Sequence, residues 1–140
     1  MGTRRKSREM VMQMLFQADL GKQTPDEVRS LFWKAREDVD AETRGFAEDL
    51  FRVATERHVE VDALIERFAQ NWRLERMPVV DRNLLRGAIG EMLGFPMTPA
   101  PIIINESLEI ARTYAAPESV HFINGVLDAV SKAVLAERLK

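Results

Sequence analysis

Apolar residues recur along most of this chain at i, i+3, i+4 and i+7, the spacing of one helical face, and strand-like alternation is almost absent. Val11, Met14, Leu15 and Ala18 form the first stripe, and Gly21 follows as a helix stop. The sequence TPDE then offers Thr24 as N-cap, Pro25 at the first helical position and Glu27 to complete a capping box. Val28, Leu31, Phe32 and Ala35 are the buried stripe of that second helix. Asp40 can cap a third, in which Phe46, Leu50, Val53 and Arg57 share a side that Ala47, Phe51 and Ala54 widen. So wide a face predicts a central helix. Val61, Leu64, Ile65 and Phe68 mark a fourth.

The periodicity breaks at NWRLERMPVVD, where Pro78 makes a helix boundary near Met77. A subdomain junction is expected here, giving a basic arm at 1–8, a first helical bundle at 9–76 and a second at 77–140. Leu85, Ala88, Ile89 and Met92 resume the pattern, and the prolines of FPMTPAP stop it again. Ile104, Leu108, Ala111 and Ala115 then mark one helix, and Ile123, Leu127, Val130 and Val134 another that Pro117 opens. The fold class is all-α.

Asn124 and Gly125 interrupt the last apolar run with a pair that ordinarily signals a β-hairpin. A lone hairpin in a helical chain is marginal in water, and the stripe through Ile123, Leu127 and Val130 crosses Gly125 in phase. Gly in a helix costs about 1 kcal/mol relative to Ala. The expected compensation is close approach of another helix at Gly125, with Asn124 and Asn105 as a pair of amides tying two helices together.

Composition removes several function classes. The 140 residues suffice for one domain with its own core. The absence of cysteine excludes disulfides, thiolate zinc sites and a cysteine nucleophile. His58 and His121 lie far apart and in no metal-ligand spacing, so neither a metal nor a cofactor is expected. No apolar run approaches the roughly 18 residues of a membrane span, and no secretory signal follows the N-terminal basic residues. A transit-peptide reading of those residues is opposed by Glu9 and Asp19 and by the core-like helix that continues from them. The expected location is the cytoplasm.

The net charge of −2 is unevenly spread. Arg4, Arg5, Lys6, Arg8 and Lys22 outnumber Glu9 and Asp19 at the N-terminus, whereas residues 23–70 carry an acidic excess. Such asymmetry points to a basic arm that meets a polyanion. The arm's cations can neutralise phosphates of a single strand, although a solvated tail has the same composition.

Five stretches in order resemble the NusB family of bacterial transcription antitermination factors: RRKSREMVMQMLFQ, VVDRNLLRGAIGEML, the proline-broken loop, INESLEIARTYAAPES and HFINGVLD. The resemblance spans essentially the whole chain. It implies about seven helices in two small bundles forming a single domain. It further implies binding to the boxA element of nascent ribosomal RNA transcripts, jointly with the ribosomal protein NusE, within an antitermination complex on RNA polymerase. Family members occur as monomers and as dimers, so a homodimer also belongs among the implied partners. Two departures stand out: Phe16 replaces a common Tyr, removing a phenolic hydroxyl, and His121 stands where Lys is common.

Glu118, Ser119, His121 and Phe122 fall at the start of the last helix, where backbone N–H groups and the dipole receive phosphate. Phe122 is either core or a platform for an unpaired base. The matching family position favours RNA contact, with Glu118 accepting from an exocyclic amine. Phe16 is either core or part of the surface shared by RNA and partner. Asp81 either caps the fifth helix or meets the protein partner, and Trp33 and Trp72 are each either core or exposed patch. Arg86 and Glu91 read as members of an intramolecular ion pair. The carboxylates of residues 37–66 come with no nucleophile or cofactor motif, so no enzyme is expected. The alternative to an RNA-binding adaptor is a helical scaffold that binds only protein.

Overall fold

The computed structural model describes residues 3–70 and 72–140, and these contain seven α-helices and no strand. They are α1 (Thr3–Gly21), α2 (Pro25–Lys34), α3 (Ala41–Glu56), α4 (His58–Phe68), α5 (Val79–Gly94), α6 (Ala100–Tyr114) and α7 (Pro117–Arg138), with one turn of 3-10 helix at Leu74–Arg76. None is long and apolar enough to cross a membrane.

Local chemistry sets several of these boundaries. The Thr24 hydroxyl accepts from the Glu27 backbone N–H, and the Glu27 carboxylate accepts from the Thr24 N–H at 2.8 Å, closing the capping box. Asp40 accepts from both the backbone and the hydroxyl of Thr43 at the start of α3. The end of α1 differs from expectation. Gly21 remains helical, and Lys22 takes the left-handed conformation at φ 51°, with the Gln23 N–H returning to the Ala18 carbonyl. The α5 start differs too. Pro78 holds the N-cap position and no side chain caps the helix, so Asp81 lies inside the first turn, buried, rather than capping it.

Two apolar clusters make up the interior. The first joins Met10, Val11, Met14 and Leu15 of α1 to Val28, Phe32 and Trp33 of α2 and to Ala47, Leu50, Phe51 and Ala54 of α3. The second draws on α4, α5, α6 and α7, with Met12 reaching in from α1. Helix α4, grouped with the first bundle by the sequence, places Val61 and Ile65 in this second cluster. The basic residues at 3–8 are the opening turns of α1 itself rather than an arm ahead of it.

The close crossing expected at Gly125 is found instead on α5. A Cβ at Gly90 would lie 2.9 Å from the Ala54 Cβ and 3.1 Å from its Cα, so only glycine lets α5 and α3 meet there. At Gly125 a Cβ would meet nothing within 4 Å. Asn105 and Asn124 are exposed, and no hydrogen bond joins them among the described residues. The amide tie between α6 and α7 is therefore absent, because both side chains face outward from the helix pair.

Candidate nucleic-acid interface

The four N-terminal cations divide into two kinds by what their guanidinium and ammonium groups meet. Arg5 and Arg8 face inward. The Arg5 guanidinium donates two 2.8 Å hydrogen bonds to Glu106 of α6, and Arg8 donates bonds of 2.8 and 2.7 Å to Glu91 of α5. The Arg8 and Glu91 side chains are only 10% and 1% exposed. Hydrogen bonding to Arg5 holds the Glu106 carboxyl below the usual range against a smaller opposing effect of burial. Arg4 and Lys6 face outward, and no carboxylate pairs with either among the described residues. The Arg4 guanidinium rests 3.9 Å from the Phe46 ring centroid, leaving its N–H fork available to an anion.

The first turn of α7 forms a second feature with the start of α5. Trp72, Met77, Pro78, Asp81, Ala116, Glu118, Ser119 and Phe122 enclose a cavity of about 280 Å³. Phe122 is half-buried, with one edge against the second apolar cluster and the ring in an edge contact with Trp72, centroids 6.4 Å apart and planes at 63°. Phe122 is thus partly core, and the rest of its ring borders the cavity. Trp72 is 50% exposed. Trp33, by contrast, is core.

Asp81 lies at the floor, 2% exposed, with Oδ1 lacking any hydrogen-bond partner among the described residues. Burial pushes its carboxyl above the usual range and the Glu118 charge adds to this, while the nearby Ser119 hydroxyl pulls the other way. No side chain caps α7, but Pro117 has no N–H and the Ser119 N–H donates to the Ala116 carbonyl at 2.9 Å, so it is the positive end of the helix dipole, rather than a row of free donors, that faces an anion. Glu118 and His121 are exposed; His121 is not part of the cavity wall. Phe16 is half-buried on α1 and belongs to neither the cavity nor the two apolar clusters.

An ion network missed by sequence reasoning ties α1, α4 and α5 together. Arg82 donates to Asp19 at 2.6 and 2.9 Å, and Arg86 bridges Asp19 at 3.0 Å and Asp62 at 2.9 Å. Burial would raise the Asp19 carboxyl, but bonds from Arg82 and Asn83 outweigh it and hold the group low. Arg86 and Glu91 are each ion-paired, though with other partners than one another. The larger cleft of about 410 Å³ beside this network is bordered by Asp19, Asp62 and Arg86, whose charges already satisfy each other.

The NusB family model matches residues 5–132. The transcription antitermination protein NusB of Koribacter versatilis is 60% identical over 99% of this chain and 95% of its own length. Among solved structures, T. maritima NusB superposes with a TM-score of 0.84 at 33% identity, covering 92% of this chain and 90% of that one. A chain from a complex of antitermination factors NusB and NusE with double-stranded RNA shares the fold, with a TM-score of 0.86 at 24% identity and coverage of 95% and 98%. With nearly the whole sequence matched by the family model and by a relative of this identity, the chain belongs to the NusB family.

Proposed function

We propose that this chain is a cytoplasmic transcription antitermination factor that binds single-stranded boxA RNA of nascent ribosomal transcripts together with NusE, and that the pair acts on RNA polymerase. The observation that carries the RNA contact is the cavity at the α7 N-terminus, where Phe122 and Trp72 stand beside the positive end of the helix dipole. Bases take the aromatic side and phosphates the helix end. Arg4 and Lys6 add charge neutralisation without sequence information, whereas Arg5 and Arg8 hold the helix that presents them. Ser119 and Glu118 border the cavity and His121 follows them on α7. The role is binding and assembly, not catalysis.

The diversion of Arg5 and Arg8 into ion pairs favours the second reading, a scaffold for protein alone, because it halves the cations of the N-terminal turn. Fluorescence anisotropy of a labelled boxA strand and a scrambled strand separates the two readings, each titrated with and without NusE. Adaptor behaviour is a preference for boxA that NusE strengthens by about 5-fold to 150-fold, the usual size of cooperative coupling. An absence of RNA binding at low salt, with NusE still bound, overturns the RNA reading and leaves the scaffold.

A further inference from the structure

We propose that the groove where α5 and α7 end and α6 begins docks a short peptide segment of a protein partner, one that pairs a large apolar side chain with carboxylates. The groove lies at the opposite end of α5 and α7 from the cavity described above, so the proposal goes beyond the RNA-binding reading and does not depend on it. Its volume is about 360 Å³, within the roughly 300–1,000 Å³ typical of binding pockets. Met92, Ile103 and Val134, all buried, form an apolar floor. Pro96, Pro99 and Pro101 line it from the α5–α6 connection and the first turn of α6, and their fixed φ leaves little backbone entropy to lose on binding. Leu135 lines it from α7 at 55% exposure, and Met97, Ile102 and Leu139, each next to a lining residue, are exposed as well. Apolar surface gathered around one concavity in this way marks an interaction site.

Charge selects the occupant. Among the described residues, the charged side chains that line the groove are Lys132 and Arg138, with no carboxylate beside them. Lys132 pairs with Asp128 at 3.1 Å, but both side chains are more than half exposed, so the pair is weak and exchanges readily for an incoming carboxylate. Arg138 donates to the Met92 carbonyl near the end of α5, pairs with no carboxylate among the described residues and keeps further N–H donors. The positive end of the α6 dipole opens here too, because Pro99, Ala100 and Pro101 line the groove and no side chain caps that helix. RNA is the poorer fit, since no aromatic ring lines the groove for a base to stack upon. A wholly aliphatic peptide leaves both cations unanswered. A segment in which Leu or Phe is flanked by Asp or Glu answers floor and rim together.

In the test, short random peptides displayed on phage are selected on the full chain, and a fluorescein-labelled synthetic copy of the tightest binder is titrated by anisotropy. Selected sequences should combine Leu, Ile, Phe or Trp with Asp or Glu. Leu135→Glu should weaken the labelled peptide about tenfold or more, the effect of losing one buried leucine contact. Lys132→Glu should weaken it about threefold, and a peptide whose carboxylates are changed to lysine should recover on that variant. Both positions are exposed, so the variants should keep the wild-type melting curve. A boxA strand with NusE should not displace the peptide. Displacement by the strand, selection of basic sequences, failure to enrich any sequence, or affinity unchanged in Leu135→Glu each overturns the groove as an acidic-peptide site. Sedimentation velocity covers one further occupant: self-association that Leu135→Glu abolishes assigns the face to a second copy of this chain and overturns the peptide.

Discussion

Arg8 and Glu91, 83 residues apart, meet through two parallel hydrogen bonds of 2.8 and 2.7 Å, and the Glu91 side chain is 1% exposed. The pair fastens α1 to α5 where the two apolar clusters adjoin. Removing one partner strands a buried charge, a loss of about 3–5 kcal/mol. Arg8→Met should therefore lower the urea midpoint sharply, and Arg8→Met with Glu91→Leu should recover most of the loss. A midpoint unchanged by Arg8→Met would show that the pair contributes nothing to the fold.

Gly90 and Gly125 should respond to substitution with opposite signs. Gly90→Leu forces side-chain atoms against the Ala54 backbone and should destabilise by about 1–3 kcal/mol. Gly125→Ala fills open space on a helix and should stabilise by about 1 kcal/mol. Thermal melts of the two variants check the assignment of the crossing to α5.

Asp81 makes stability fall as pH rises. Its carboxyl is raised in the folded chain, so the native form holds more protons than the unfolded one, and stability is lost as pH climbs from the ordinary carboxylate value through the folded one. Asp81→Asn should stabilise by about 1–3 kcal/mol at neutral pH, and the gain should fade below the ordinary carboxylate value. Denaturation across that range, with Asp19→Asn as the contrasting case, tests the sign. Asp19 is held low by Arg82 and Asn83, so the contribution of its charge is present at neutral pH and disappears in acid as pH falls through its folded value.

Salt dependence should separate the outward cations from the inward ones. Each neutralised phosphate of a single strand contributes about 0.7 to the log–log salt slope, so Arg4→Ala with Lys6→Ala should reduce it by up to about 1.4. Arg5→Ala and Arg8→Ala should instead lower the melting temperature, because their guanidinium groups are engaged with Glu106 and Glu91. Equal slope changes from both pairs would mean that the ion pairs open on binding RNA.

What the sequence made legible was local. The capping box at Thr24 and the stripe of α7 depend on neighbours within one or two turns, and they stand where periodicity put them; in α2 the buried residues are Val28, Phe32 and Trp33, with Leu31 exposed and Ala35 beyond the helix, and in α3 they include Ala47, Leu50, Phe51 and Ala54 while Arg57 falls past its end. The helix-crossing argument was sound in kind but attached to the wrong glycine: Gly87, Gly90 and Gly94 sit in α5 at spacings that keep them near one face. Which face meets another helix is decided by elements far away in the chain. The same holds for Arg8, whose partner could not be read from composition, and for Asp81, whose burial depends on the first turn of α7. Trp72 did leave a signal, as an aromatic residue placed where the periodicity fails.

Helix α1 precedes the other six helices off the ribosome, yet its contacts wait for helices far along the chain. Its pairs reach Glu91 and Glu106, and its apolar side chains serve both clusters, so it cannot finish docking until α6 has been synthesised. At about 5–20 residues per second, translating the intervening hundred residues takes about 5–20 s. For that interval Val11, Met12, Met14 and Leu15 lack part of their native cover, and the nascent chain offers an amphipathic helix to any chaperone at the tunnel exit. A holdase that captures α1 would set the pace at which the finished factor appears.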